Sequence, residues 1–251
     1  MTFAPAPAFT TRPTLTGTFG MSASTHWLAT ASAQAVLERG GNAFDAAVAG
    51  GFVLHVVEPH LNGPGGDLVG IFAAADDPGT PVVLMGQGPA PAGATIAHYR
   101  AEGLDLVPGA GGLAAAVPGA VDAWLTLLHD HGTWELADVL SFAIGYARDG
   151  HPLIAQASTT IARVATLFTE HWPSSADLWM PEGRVPEAGT IVRNPAYAAV
   201  LDSLVSAGHA IRDDGPVGRE ARIDAARREW KTGPIAHAAA AFLARPHRHS
   251  D

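Results

Sequence analysis

Three side chains that commonly bind metal ions, His55, Glu58 and His60, lie close together in the sequence. Ligands one helical turn apart share a helix face, from which they can reach one zinc ion. Pro59 breaks such a helix before the set is complete, because proline lacks the backbone donor that a helix interior needs. The pattern is more typical of core histidines with satisfied hydrogen bonds. We therefore expect no metal at this position.

His247 and His249, near the carboxyl end, also have a ligand-like spacing. They stand in an arginine-rich polar segment, which favours solvated side chains over a closed coordination shell. The chain has no cysteine, so disulfides, thiolate nucleophiles and cysteine-ligated zinc are excluded. We expect neither a metal nor a cofactor.

The charge balance narrows the class of partner. The chain has 15 Lys and Arg residues against 24 Asp and Glu residues, a net charge of −9. This sign argues against a general affinity for nucleic acids or anionic membranes, so a small-molecule partner is expected. Residues 1–13 lack the basic start and apolar run of a secretory signal, which makes the cytoplasm the expected location.

Two helices and a glycine-rich turn must position any site in the first part of the chain. Residues 20–24 predict a short strand, and Ser24 or Thr25 can cap the helix that follows. The spacing of apolar residues predicts the inward face of this helix: Leu28, Ala31 and Ala35.

The second helix is predicted over residues 43–57. Gly40 and Gly41 can take the left-handed conformation that ends the first helix, and Asn42 with Asp45 can satisfy the free amides of the second. Almost every later residue is apolar, so this helix should be buried on all sides. Its roughly 15 residues fall short of the ~20 that cross a membrane.

Two predicted strands follow a turn rich in glycine and proline over residues 58–67. Residues 68–74 and 81–86 are the strands, and residues 76–79 supply the bend between them. The continuous apolar run at residues 82–84 is typical of a sheet covered on both faces.

The NGPGGD segment of this turn allows two interpretations. Its backbone amides could gather into an anion-binding nest, or the turn could be a tight crossover near a site. The spacing matches neither a dinucleotide fingerprint nor a phosphate-binding loop, which favours the crossover.

The rest of the chain predicts helices. Pro118 suits the first turn of a helix that ends near Gly132, and Thr133 can cap the next one, which ends near Gly150. Further helices are expected over residues 154–169, 195–204, 218–229 and 233–243, the last with these side chains inward: Ile235, Ala239 and Phe242. Together the elements indicate helical layers around a mostly antiparallel sheet, an α+β fold.

Four segments in this order resemble the large subunit of the gamma-glutamyltranspeptidase family. They are GMSAS with the helix pair through GGNAFDAAVA, then VVEPHLNGPGG, then AVPGAVDAWLTLLHDHG, and then the helix leading to ARDGHPL. Weaker matches are RNPA at residues 193–196 and GPIAHAAAAF at residues 233–242. Together they span nearly the whole chain.

The resemblance implies an N-terminal-nucleophile hydrolase fold, a four-layer αββα sandwich that this chain contains only in part. Such precursors cut themselves into a large and a small subunit, and the new amino-terminal threonine of the small subunit is both nucleophile and base. The threonine forms an acyl-enzyme that water or an acceptor amine resolves. The implied partners are this small subunit and a small-molecule amide or gamma-glutamyl-like substrate.

No catalytic residue is expected within this chain. The family's threonine is followed by a second threonine. The matching pairs here are Thr10 with Thr11, before the predicted fold, and Thr159 with Thr160, inside a predicted helix. Neither position fits the amino terminus of a small subunit.

The expected domain organisation is an extension over residues 1–17 and a partial large-subunit domain over residues 18–251. The ending HRHSD has no closing strand or cap, which suggests an interrupted domain. The leading hypothesis is therefore the scaffold and substrate wall of an amidohydrolase or acyltransferase whose threonine lies in a missing small subunit. The alternative is a non-catalytic binding or scaffolding relative.

Gln87 is the one substrate-binding residue that the resemblance implies. Transpeptidases of the family carry an arginine at this point, which clamps the alpha-carboxylate of the glutamyl group. In MGQGPAP the matching residue is Gln87, whose neutral amide supplies hydrogen bonds but no charge. This difference implies the branch of acylases and amidohydrolases. The alternative role for Gln87 is a turn residue that completes a bend between Gly86 and Gly88.

Overall fold

The computed structural model describes residues 14–212 and 215–245, in which helices are combined with short antiparallel strands. The helices are α1 (Trp27–Glu38), α2 (Ala43–Val57), α3 (Ile96–Ala101), α4 (Ala120–His131), α5 (Leu136–Asp149), α6 (Ala155–His171), α7 (Pro173–Trp179), α8 (Pro195–His209), α9 (Pro216–Thr232) and α10 (Pro234–Leu243). The strands are β1 (Val69–Ala74), β2 (Asp77–Met85), β3 (His151–Pro152) and β4 (Ile191–Val192). Strand β1 pairs with β2, and β3 pairs with β4. This mixture of helix and sheet agrees with the α+β prediction.

Helix α2 lies at the centre of the fold and has the predicted bounds. It contacts α1, α4 and α5. Asn42 and Asp45 form the expected capping box, in which each side chain accepts a hydrogen bond from the other residue's backbone amide. Most of its side chains are buried, although Ala47 is exposed. Within the described residues, no helix combines the length and the apolar character required to span a bilayer.

Two glycines let neighbouring helices approach α2 closely. A β-carbon on Gly50 would lie 3.4 Å from the carbonyl oxygen of Ala29 on α1, and one on Gly51 would lie 2.5 Å from the ring of Trp124 on α4. An added β-carbon would therefore overlap a neighbouring ring at Gly51, whereas at Gly50 it would make a close but ordinary contact.

The carboxylate of Asp45 joins α2 to the connection between α4 and α5. It is fully buried, and besides its cap on Asn42 it accepts hydrogen bonds from the amides of Thr133 (2.8 Å) and Trp134 (3.1 Å). The Thr133 hydroxyl donates a further bond of 2.7 Å to the same group. The prediction that Thr133 caps α5 is wrong, because this hydroxyl is committed to Asp45 and the cap position belongs to Glu135.

Helix α1 begins differently from the prediction. Residues 20–24 form no strand, and His26 caps the helix by accepting the Leu28 amide hydrogen at Nδ1, 3.1 Å away. Of the two predicted caps, Ser24 donates to the His26 carbonyl, and Thr25 donates to the carboxylate of Glu58. Both hydroxyls are thereby taken from the cap position.

The inward face of α1 is rotated from the predicted one. Ala31 is exposed and Ala35 is only partly buried. Alanine supplies little contrast between faces, so the composition of this helix defines its orientation weakly. The side chains that contact the core are Leu28, Ala29, Ser32, Ala33 and Val36.

The hairpin of β1 and β2 is confirmed, but it is covered on one face only. On the covered face Phe72 packs edge-on against Phe44 and His131, with ring centroids 5.2 and 4.9 Å apart. The opposite face is apolar and 57% to 73% exposed, and it consists of two cross-strand pairs, Val69 with Met85 and Ile71 with Val83. The prediction of a sheet covered on both faces is therefore wrong within the described residues.

The later helices complete the core. Helices α8 and α9 pack together and cover α5 and α4. Residues of α6 and α7 form a smaller cluster beside β3 and β4. In α10, Ile235 packs against the main core as predicted, whereas Ala239 and Phe242 are exposed, so their predicted inward orientation is wrong. The proposed boundary between residues 17 and 18 stays a prediction.

We expect Asp45→Asn to lower the free energy of unfolding by about 3 kcal/mol, because an amide cannot accept all four hydrogen bonds that this buried carboxylate accepts. Urea denaturation would measure the loss. Asp138→Asn, at an exposed acid in the first turn of α5, is the matched control and should change stability by less than about 0.5 kcal/mol. Equal losses in both variants would contradict the anchoring role of Asp45.

His55 should make stability fall in acid. Burial lowers its pKa from 6.5 to about 4, and its Nδ1 lies 3.2 Å from the hydroxyl of Tyr197. The unfolded chain therefore binds a proton at this group as pH falls from 6.5 to 4, while the folded chain does not, and roughly 3 kcal/mol of stability is lost over that window. His55→Gln should flatten this part of a pH series of urea denaturations. The exposed His98→Gln should keep the wild-type profile.

Candidate functional site

Residues 86–89, called here the Gln87 segment, follow the end of β2. A backbone contact with the start of β1 holds this segment in place. Gly86 donates a hydrogen bond of 2.6 Å to the Leu68 carbonyl and accepts one of 3.2 Å from the Leu68 amide. Gly86 is buried, whereas the next residue, Gln87, is exposed. The hairpin thus fixes the backbone and leaves the Gln87 side chain outside it.

Glycine is required on both chains where the Gln87 segment meets the loop before α4. A β-carbon on Gly88 would lie 1.3 Å from the carbonyl oxygen of Val117, and one on Gly119 would lie 2.3 Å from the carbonyl oxygen of Gly86. The Val117 amide also donates to the Pro89 carbonyl at 3.0 Å. The Gln87 segment is therefore clamped between the hairpin and the residues that precede α4.

The NGPGGD turn contacts the beginning of α4 through a carbonyl group. The oxygen of Gly66 accepts hydrogen bonds from the amides of Gly119 and Ala120, each 3.2 Å long. These amides are among those that open a helix and would otherwise be free. The contact agrees with the predicted crossover and ties the turn to the Gln87 segment.

A cavity of about 910 Å³ lies beside Gln87. Its walls come from the end of β2, the loop before α4, α4 itself, the end of α9, and α10. This volume falls in the range of small-molecule sites, and a mostly apolar lining is also typical of them. Side chains that contribute apolar surface include Leu84, Val117, Ala123, Ile235, Ala239 and Leu243.

One wall of the cavity carries an ionic network. Asp122 on α4 accepts hydrogen bonds from Arg227 (Nε to Oδ1, 2.8 Å) and from Lys231 (Nζ to Oδ2, 2.8 Å), both on α9. Burial alone would raise the pKa of Asp122, but the hydrogen bonds and charges of Arg227 and Lys231 outweigh it and lower that pKa. Asp122 is therefore a carboxylate that links α4 to α9.

The suspected metal ligands are dispersed in the structure. His55 contacts Tyr197, and Glu58 accepts a hydrogen bond from the hydroxyl of Thr25. Both ring nitrogens of His60 are buried and have no hydrogen-bond partner in the described part of the chain. Within residues 14–212 and 215–245, no three acidic or histidine side chains form a group that could hold a metal ion.

Two other buried histidines escaped sequence reasoning, His26 and His151. His151 is buried, and among the described residues His26 Nε2 has no hydrogen-bond partner. Burial lowers the pKa of each, which keeps the imidazoles neutral near pH 7. Because His26 accepts an amide hydrogen at Nδ1, its proton lies on Nε2, the atom that a metal would need.

The described threonine pair, Thr159 with Thr160, does not line the cavity. Thr159 lies on α6 and donates its hydroxyl to the Ala155 carbonyl within its own helix. The candidate pairs Thr10 with Thr11 and His247 with His249 fall outside the described residues.

Sequence reasoning did not identify Asp122 or Lys231 as cavity residues. One available signal was that Lys231 is the only lysine of the chain. It did not show which acid on a distant helix would face Lys231.

A family profile and individual relatives both match most of this chain. The sequence profile of the family described as gamma-glutamyltranspeptidase matches residues 29–226. The oxamate amidohydrolase proenzyme of Klebsiella pneumoniae is 36% identical over 198 residues, which are 76% of this chain and 36% of that protein. The acylase ACY 1 proenzyme of Pseudomonas sp. strain V22 is 34% identical over 213 residues, 81% of this chain and 38% of that protein.

A solved structure extends the similarity to the fold. The structure of LmbA2991HD superposes with a TM-score of 0.89 at 55% identity, and it covers 96% of this chain but 40% of that one. The chain thus spans well under half the length of the proteins described here.

Gly88→Ala should lower the free energy of unfolding by more than about 4 kcal/mol or displace the Gln87 segment, because the added carbon would overlap the Val117 carbonyl. Thermal unfolding would measure the change. Gly93→Ala is the control, since a β-carbon there would meet no atom within 4 Å. Similar melting temperatures for both variants would show that the loop before α4 does not clamp the segment.

Proposed function

Because the chain belongs to the gamma-glutamyltranspeptidase family, we propose that it is most of the large subunit of an amidohydrolase or acyltransferase of the acylase-like branch. In this proposal the chain supplies the scaffold and one wall of the substrate site. A small subunit supplies the nucleophilic threonine. The chain alone is therefore inactive.

The observation that carries the proposal is the uncovered face of the β1–β2 hairpin. Four apolar side chains there are more than half exposed, although they belong to the strands that lead to Gln87. An apolar face of this kind is stabilised by burial, at about 25 cal/mol for each Å² removed from water. The relatives continue well beyond the length that this chain matches, which supplies polypeptide to cover the face.

The four-layer αββα sandwich follows from the same reasoning. Helices lie against one face of the hairpin, through contacts such as that of Phe72 with Phe44. A second sheet on the open face, followed by a further helical layer, would complete the sandwich. This layering is part of the proposal.

The proposed chemistry is acyl transfer. The hydroxyl of the amino-terminal threonine attacks the amide carbon of the substrate, and the threonine's own amine accepts the proton. The leaving amine takes a proton as the carbon–nitrogen bond breaks, and water or an acceptor amine then releases the acyl group. Gln87 would hydrogen-bond the acyl portion beside the cavity.

A non-catalytic scaffolding protein is the alternative. Like the leading proposal, it is compatible with the position of the described threonine pair within α6. It predicts neither self-cleavage nor amide hydrolysis in any longer precursor.

Expression of the full precursor tests the two functions. We expect self-cleavage and hydrolysis within a panel of gamma-glutamyl, glutaryl and oxamate amides. Because an arginine would supply the charge that a gamma-glutamyl carboxylate needs, Gln87→Arg should raise kcat/KM for the gamma-glutamyl amide at least about tenfold.

The matched control is Gln156→Arg, at an exposed glutamine on α6, which should leave turnover unchanged. A precursor that neither cleaves itself nor hydrolyses an amide would support the scaffolding alternative. An active precursor in which Gln87→Arg behaves like Gln156→Arg would remove Gln87 from the substrate site.

A further inference from the structure

A second cavity, of about 330 Å³, opens between the end of α1 and the start of α5. It shares no lining residue with the cavity beside Gln87. Its volume lies within the range of small-molecule sites. We call it the Arg39 cleft, and its lining consists of Arg39, Thr133, Trp134, Glu135, Asp138 and Ser141.

Hydrogen bonds from behind the cleft fix its backbone wall. The amides of Thr133 and Trp134 donate to the buried carboxylate of Asp45, and so does the Thr133 hydroxyl. Arg219 Nε donates to the Trp134 carbonyl at 3.0 Å. A wall that is held from outside the cleft does not have to be ordered by a ligand, which lowers the entropic cost of binding.

The lining contains one cation and one anion that form no ion pair with a described residue, Arg39 and Asp138. The Cζ atom of Arg39 lies over the ring of Phe142, 5.6 Å from its centroid. This contact uses a face of the guanidinium, so the N–H donors in its plane stay available to a carboxylate. Glu38, next to Arg39 in the sequence, lies outside the lining, 3.5 Å from the side-chain amide of Gln34.

The other charges around the cleft balance one another. Glu135, the third charged residue of the lining, accepts hydrogen bonds from Nε (3.1 Å) and Nη2 (2.7 Å) of Arg222. Behind the wall, the negative Asp45 and the positive Arg219 both bind the backbone of Trp134. A ligand in the cleft therefore meets chiefly the two charges that are not paired.

A complementary ligand has a carboxylate for Arg39, an ammonium group for Asp138 and an apolar part. Trp134, the one aromatic side chain of the lining, supplies an apolar surface for this third part. A guanidinium can hold a carboxylate through two parallel hydrogen bonds, which favours this pairing over one with a neutral acceptor.

We propose that the Arg39 cleft binds a free α-amino acid with an apolar side chain. Arg39 binds the carboxylate, Asp138 binds the ammonium group, and the side chain lies against Trp134. The inference goes beyond the proposed function, because it requires neither the small subunit nor a reaction.

NMR titration of the 251-residue chain at pH 7, with its tryptophans labelled with nitrogen-15, tests the proposal. The probes are L-phenylalanine, 3-phenylpropanoate, which lacks the ammonium group, and phenethylamine, which lacks the carboxylate. We expect L-phenylalanine to shift the Trp134 indole signal, identified with Trp134→Phe, and to bind about fivefold more tightly than either analogue. This factor is typical of one exposed ion pair, and it should shrink as salt is added.

Two variants should each remove one half of the selectivity. Arg39→Met keeps an apolar stem beside Phe142, and it should make L-phenylalanine bind no better than phenethylamine. Asp138→Asn should instead make L-phenylalanine bind no better than 3-phenylpropanoate. A purely structural role for these residues would not produce opposite changes for the two analogues.

The matched controls are Arg163→Met on α6 and Asp177→Asn on α7, both at exposed charges outside the lining. Both should keep the wild-type order of the three probes. Equal affinity for all probes, no binding of any probe, or binding that leaves the Trp134 signal unmoved would each overturn the proposal. So would selectivity that survives both Arg39→Met and Asp138→Asn.

Discussion

The arrangement of the central helices depends on a buried carboxylate, Asp45. It begins α2 by capping it, and it also holds the backbone that separates α4 from α5. A buried charge is tolerable only when its hydrogen bonds are satisfied. The backbone around Thr133 therefore cannot move away from α2, because the buried Asp45 carboxylate would lose its hydrogen bonds. Three helices are thereby placed relative to one another through one side chain.

The candidate site lies at the other end of α4, so its position depends on the same placement of this helix. There the close contacts are made by backbone atoms at Gly66, Gly88 and Gly119, where the chain has no side chain to interpose. The β1–β2 hairpin, the NGPGGD turn and the start of α4 are in direct backbone contact, and Gln87 projects from the point where they meet. Asp122, in the first turn of α4, then links the same helix to α9 and so brings Lys231 to the cavity.

How much the sequence predicts depends on the range of the interactions. The end of α1 and the start of α2 follow from neighbours in sequence, the Gly40–Gly41 stop and the Asn42 cap, and the bounds of α2 were predicted correctly. The inward face of α1 was not, because alanines occur on both sides of it. The pairing of Lys231 with Asp122 joins distant parts of the chain, and the open face of the hairpin depends on what packs against it. Neither can be read from local pattern. Gln87 was proposed through family resemblance and stays a prediction as a substrate contact, and only the coordinates place it beside the cavity.

The single lysine has a practical consequence for chemistry on this protein. Apart from the amino-terminal amine, Lys231 is the only primary amine of the chain, and half of its side chain is open to solvent at the cavity. An amine-selective reagent, such as an activated ester carrying a fluorophore, would therefore attach a reporter at one internal position. No cysteine needs to be engineered, and the attached dye would sense directly whether the adjoining space is filled.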